Sequence, residues 1–294
     1  VGGIPITVTV LYLVAAAVAL TVAWLRGHPS RRPPNDPRQR AIRRTTRWRW
    51  VGVAVGATLG VAVAAADPLD LGALLAAPVF GICVLVGVLI GEASVAPPGG
   101  PTRTAALEVR TVRDYLPRRM SRAVAVAAVG LLALLVVTSA NSGPDDAGNP
   151  GRALELRCPP TTAEEHGPWP GAFYSVPLAV VVLLGLVVAY VVLRNIVRRP
   201  RPGGTPDLIA VDNASRRRTA RAVTGAVGIL VGLPLAGVAA TASWALLSTA
   251  CGPAWGRPVG WFLLVAWPVV IALTVWWTTA VLVPKRATAA GVAS

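Results

Sequence analysis

The sequence has little of what most protein chemistry needs. In 294 residues there are two histidines, three cysteines, one methionine and one lysine, and only 14% of positions are charged. His28 and His166 have no partner at metal-ligand spacing, there is no Cys-x-x-Cys, and no glycine-rich loop ends in a lysine. These absences speak against a zinc centre, a dithiol redox site and a phosphate-cradling nucleotide loop. The sequence therefore predicts no metal, no cofactor and no catalytic constellation. The scarcity of charge also excludes an ordinary soluble domain, which carries about 25% charged residues. With 54% hydrophobic residues and a mean hydropathy of +0.61, such a domain would have more apolar surface than its core can hide.

What the chain does have is long uncharged runs. Seven of them, at 4–25, 50–66, 71–90, 123–140, 173–193, 222–247 and 259–283, contain no charged residue. Each is long enough, or nearly so, to cross a hydrocarbon core of about 30 Å. The expectation is one polytopic domain, an all-α bundle of seven transmembrane helices. The run 50–66 is short; it reads as a separate span paired with 71–90 through the 67–70 turn.

The basic residues divide the connections into two classes. Inner loops 26–49, 91–122 and 194–221, with Lys285 and Arg286, hold 25 of the 28 basic residues. Outer loops 67–70, 141–172 and 248–258 hold Arg152, Arg157 and Arg257 against seven acids. The positive-inside bias then puts the N-terminus outside and the C-terminus inside a bacterial plasma membrane. The first run has no basic stretch before it and arginines after it, so it reads as an anchor and not a cleaved leader. Trp24, Trp48, Trp50, Trp276 and Trp277 fall near the inner boundary, and Trp244, Trp255 and Trp261 near the outer one, as an aromatic belt would. Cys158 and Cys251 both fall on the oxidising face and are expected to form a disulfide. Cys83 falls mid-span and reads as a small packing residue.

Within the spans, Gly52, Gly56 and Gly60 repeat at four-residue spacing. Such a stripe lets a second helix backbone approach closely, and packing within the same bundle is favoured over dimerisation. Pro234 and Pro268 are expected to kink their helices. The absence of embedded charge argues against an ion-coupled transporter. Asp145, Asp146, Glu155, Glu164, Glu165 and His166 gather in one outer loop without the ordered spacing of a cation site, so they read as a solvated acidic loop.

The inner loops share a pattern. Asp36 and Arg40, Asp114 and Arg118, and Asp212 and Arg216 each stand four residues apart, and each pair is followed by further arginines and then an apolar run. An aspartate suits the first turn of a helix, and an arginine four residues on lies on the same face. The remaining arginines are placed to meet anionic headgroups. The candidate contacts for an anionic ligand or a protein partner are Asp114, Tyr115, Arg118, Arg119, Asp212, Arg216, Arg217 and Arg218. Thr104 is placed to cap a short interfacial helix, and Glu92 to pair with a nearby arginine. Because these arginines stand between spans, membrane lipid and not nucleic acid is the expected partner. The leading functional reading is a non-enzymatic interaction or accessory protein. A small-molecule or lipid transporter, and a membrane enzyme using Glu92, Asp114 and Tyr115 at lipid headgroups, are the alternatives.

The inner loop "GEASVAPPGGPTRTAALEVRTVRDYLPRR", with the segment 207–221, resembles multi-pass membrane proteins of streptomycetes and related actinobacteria. Those proteins carry a similar G-E … RTA-L … R-DY-P loop and a later D-(D/N)-A-x-R segment before a helix. The resemblance implies an actinobacterial plasma-membrane location. It implies no activity and no functional residues.

Overall fold

The computed structural model describes residues 37–66, 71–94, 111–145, 147–158, 162–166, 169–198, 206–249 and 252–283. The first apolar run, the 67–70 turn, residues 95–110 with the Thr104 helix, Asp36, Cys251 and Lys285 lie outside them. Among the described residues six helices pack together: α1 (Pro37–Ala66), α2 (Leu71–Ala93), α3 (Arg118–Ala140), α4 (Ala172–Arg198), α5 (Pro206–Ser248) and α6 (Gly256–Leu282). All six are long and apolar enough to cross a bilayer, the make-up of a multi-pass membrane protein. A single 3₁₀ turn, Val112–Asp114, precedes α3.

The organising element is α5. At 43 residues it runs about 65 Å, twice the thickness of a hydrocarbon core. In its most apolar stretch 83% of residues are buried, against 33% or fewer in each of the other five helices. Its sequence explains this: Ala222, Gly225, Ala226, Gly228, Gly232, Ala236 and Ala239 leave little side chain in the way, and α2, α3, α4 and α6 all pack on it. A Cβ on Gly228 would run into the Trp277 ring. Trp277 is accordingly fully buried and is not part of an interfacial belt. Trp244, Trp255 and Trp261 are exposed on the bundle surface. Pro234 and Pro268 sit inside helices that continue past them.

By contrast α1 packs almost wholly on α2. The glycine stripe makes this seam: a Cβ on Gly52 would lie 2.7 Å from the Cys83 carbonyl oxygen, and one on Gly87 would lie 2.8 Å from the Gly52 Cα. The stripe therefore serves packing within the chain, and part-buried Cys83 lies in the same seam. Gly87 and Gly91 are the matching stripe on α2, since a Cβ on Gly91 would meet Thr45.

The connection between α3 and α4 departs from an all-helical fold. Strands β1 (Leu154–Cys158) and β2 (Thr162–His166) form an antiparallel hairpin in which Glu155 faces Glu165 and Cys158 faces Thr162. Gly151, at φ +78°, lets the chain turn into it beside Gly171. The hairpin base is anchored by Trp169, whose indole N–H donates to the Thr138 carbonyl at 2.8 Å. Leu154 and Trp169 join Ala242, Ala245 and Leu246 of α5 in a second small core. Asp145 closes the preceding turn, accepting from the Asn149 and Ala147 amides and from Arg152. Those bonds hold its carboxyl below the usual range, the Asn149 amide first. Arg152 also lies 4.1 Å over the Phe173 ring. The loop is thus a folded cap in which Asp145 and Arg152 do structural work, and no metal-binding group of side chains occurs among the described residues.

Candidate functional site

At the opposite end of the bundle the arginines gather. Leu116 precedes Pro117, and a residue before proline is driven out of the helical region. Pro117 itself is extended, with ψ 100°, and α3 begins only at Arg118. The chain before it folds on itself: Asp114 Oδ2 accepts from the Thr111 amide and from the Thr111 hydroxyl, both at 2.9 Å. These two bonds, the amide first, hold the Asp114 carboxyl below the usual carboxylate range. Asp114 therefore neither caps α3 nor reaches Arg118. The expected pairing does not form here because the proline stands between the two residues.

In α5 the same spacing behaves differently. The helix starts at Pro206, so Asp212 is in its interior and not at its start. Arg216 Nε donates to Asp212 Oδ2 at 2.8 Å. Its Nη1 reaches the Ile196 and Val197 carbonyls, in the last turn of α4. Helix ends leave carbonyls without intrahelical donors, and Arg216 supplies one from the neighbouring helix. It is 3% exposed, a buried clamp and not a surface contact.

One residue on, the arginines turn outward. Arg217, Arg218 and Arg221 share one face of α5 by their three- and four-residue spacing. They form one wall of a cleft of about 430 Å³ whose other wall is Asp114, Tyr115, Leu116 and Pro117. The Tyr115 hydroxyl lies 3.5 Å from Asn213 Oδ1 and links the walls. Arg221 Nε is buried with no hydrogen-bond partner among the described residues. None of the three guanidinium groups forms an ion pair with the described residues. The cleft holds three positive charges and one carboxylate, where the apolar parts of α3 and α5 begin.

Of the eight residues anticipated from sequence, Asp114, Tyr115, Arg217 and Arg218 are brought together. Asp212 and Arg216 are spent on structure. Arg118 and Arg119 lie exposed on α3, outside the cleft lining. Arg221 was missed as a site residue, although its spacing from Arg217 and Arg218 signals a shared face. The first Asp-x-x-x-Arg copy lies outside the described side chains, as do both cysteines of the expected disulfide.

A second buried arginine was also missed. Arg49 of α1 donates to Glu92 Oε1 at 3.2 Å and to the Val281 carbonyl at 3.0 Å. Glu92 thus finds the arginine expected for it, and the last turns of α2 and α6 are tied together through α1. Comparison of the chain with protein-family models, with curated proteins and with solved structures gave no match.

Proposed function

We propose that this multi-pass membrane protein acts without catalysis, holding an anionic lipid headgroup in the cleft between the 112–117 turn and α5. In this reading the arginine-rich end faces the cytoplasm of a bacterial plasma membrane, the hairpin cap faces outward, and protein partners dock through the same basic face. The carrying observation is the trio Arg217, Arg218 and Arg221, unpaired among the described residues and set where two apolar helices begin. A headgroup phosphate at that depth satisfies them with charge-assisted hydrogen bonds. The carboxylates named for an enzyme are both engaged, Glu92 by Arg49 and Asp114 by Thr111, which favours binding over proton transfer.

Native mass spectrometry of the protein in nanodiscs tests this. Wild type should retain anionic phospholipid over phosphatidylcholine. The variant Arg217→Gln/Arg218→Gln/Arg221→Gln should lose that preference. At about 1 kcal/mol for each basic residue near an anionic surface, the loss is about 3 kcal/mol, or roughly a hundredfold. Equal retention by the two proteins would refute the proposal.

A further inference from the structure

The composition of the cleft says more than its sign. An ionised carboxylate stands across from three guanidinium groups, and none of them bonds to it. The reason is local: Thr111 holds Asp114 by one oxygen, Oδ2, and turns it back into its own turn. The other oxygen, Oδ1, accepts nothing from the described residues. An occupant must satisfy both walls. Phosphate oxygens suit Arg217, Arg218 and Arg221. A bare phosphate leaves Asp114 facing a like charge, which is unfavourable at close range. A hydroxyl donor suits Asp114, because an ionised carboxylate only accepts. An ammonium would also suit Asp114, but a zwitterionic headgroup carries no net charge, while the cleft carries three positive charges against one negative.

From this we infer that the cleft selects a polyol phosphodiester headgroup, its phosphate on the α5 arginines and a hydroxyl on Asp114, with phosphatidylglycerol as the simplest form. The inference rests on the proposed headgroup-binding role and narrows its ligand. The apolar wall of Leu116 and Pro117, at the start of the spans, favours a lipid over a soluble polyol phosphate as the source.

The test uses the full-length protein in phosphatidylcholine nanodiscs doped with one further lipid. The lipids are phosphatidylglycerol, phosphatidylmethanol (the same charge without hydroxyls) and phosphatidylethanolamine. Retention is read by native mass spectrometry. One hydrogen bond to a charged group predicts a preference for phosphatidylglycerol over phosphatidylmethanol of roughly tenfold. Asp114→Asn keeps an acceptor for Thr111, so the turn survives, and it should abolish this preference while anionic retention persists. Equal retention of the two anionic lipids overturns the polyol inference and leaves headgroup binding standing. Retention of phosphatidylethanolamine at the level of phosphatidylglycerol also overturns it. No anionic retention above phosphatidylcholine overturns both readings. Soluble glycerol phosphate is added to undoped discs in a separate arm. If it binds there while doped phosphatidylglycerol is not enriched, the lipid source is refuted.

Discussion

The segments 111–122 and 206–221 meet at one cleft and carry the same Asp-x-x-x-Arg spacing, yet they use it in opposite ways. In α5 the helix runs through the motif, so four residues bring Asp212 and Arg216 onto one face and Arg216 is buried against the end of α4. Before α3 a proline interrupts the motif, so the aspartate turns back to Thr111 and the arginine stays at the surface. The same spacing yields a structural clamp in one place and an open, ligand-accessible carboxylate in the other. What decides between them is whether a helix can pass through.

The sharpest way to break this comparison is at the two arginines. Arg216→Leu leaves a part-buried carboxylate unpaired and the end of α4 without its donor. Removing one partner of a buried pair costs about 3–5 kcal/mol, so thermal unfolding of the purified protein should shift strongly. Arg118→Leu, at an exposed position, should stay within about 0.5 kcal/mol. Equal shifts would mean that the two copies are not different in kind. A smaller effect is expected from Pro117→Ala. With the block removed, α3 can extend toward Thr111 and Asp114 can pair with Arg118, a gain of about 0.2–0.5 kcal/mol. Amide exchange across 112–117 should slow and the preference for phosphatidylglycerol over phosphatidylmethanol should fall, because the carboxylate leaves the cleft.

The smallest effect is on pH. The Asp114 carboxyl is held below its unfolded value of about 3.9 by the two Thr111 bonds. A lowered folded value stabilises the turn above the unfolded value, and this is lost as pH falls through the lower folded value. The turn should therefore be intact at pH 5 and loosen only below about pH 4. Thr111→Val should move the Asp114 titration, followed by carboxyl carbon NMR, upward toward its ordinary value.

Much of this architecture was readable from residue order. Uncharged length alone located the apolar parts of the six helices, because a bilayer makes a simple demand that a run either meets or fails. The Gly52, Gly56 and Gly60 stripe announced a close seam. Local patterning did not show how far helices continue beyond their apolar parts: α1 and α5 run on into arginine-rich sequence as far back as Pro37 and Pro206. Nor did it show burial of Arg49 and Arg216, which depends on where other helices end. Position did carry a hint, since Arg49 and Glu92 close the matching ends of paired runs. The hairpin was legible and overlooked. In "LELRC", apolar and charged residues alternate with the period of a strand, and "PPTT" supplies the break before "AEEH". The open cleft required Pro117 to be weighed above the spacing that surrounds it.

Arg49 also sets an order of events in synthesis. Its bond to Val281 spans 232 positions, whereas its bond to Glu92 spans 43. At about 5–20 residues per second, α1 and α2 can close their glycine seam and pair Arg49 with Glu92 roughly 10–40 s before Val281 is made. Through that interval one guanidinium nitrogen has no α6 carbonyl to receive it. The arrival of the last described helix supplies it, so this single side chain distinguishes a finished bundle from one that still lacks α6.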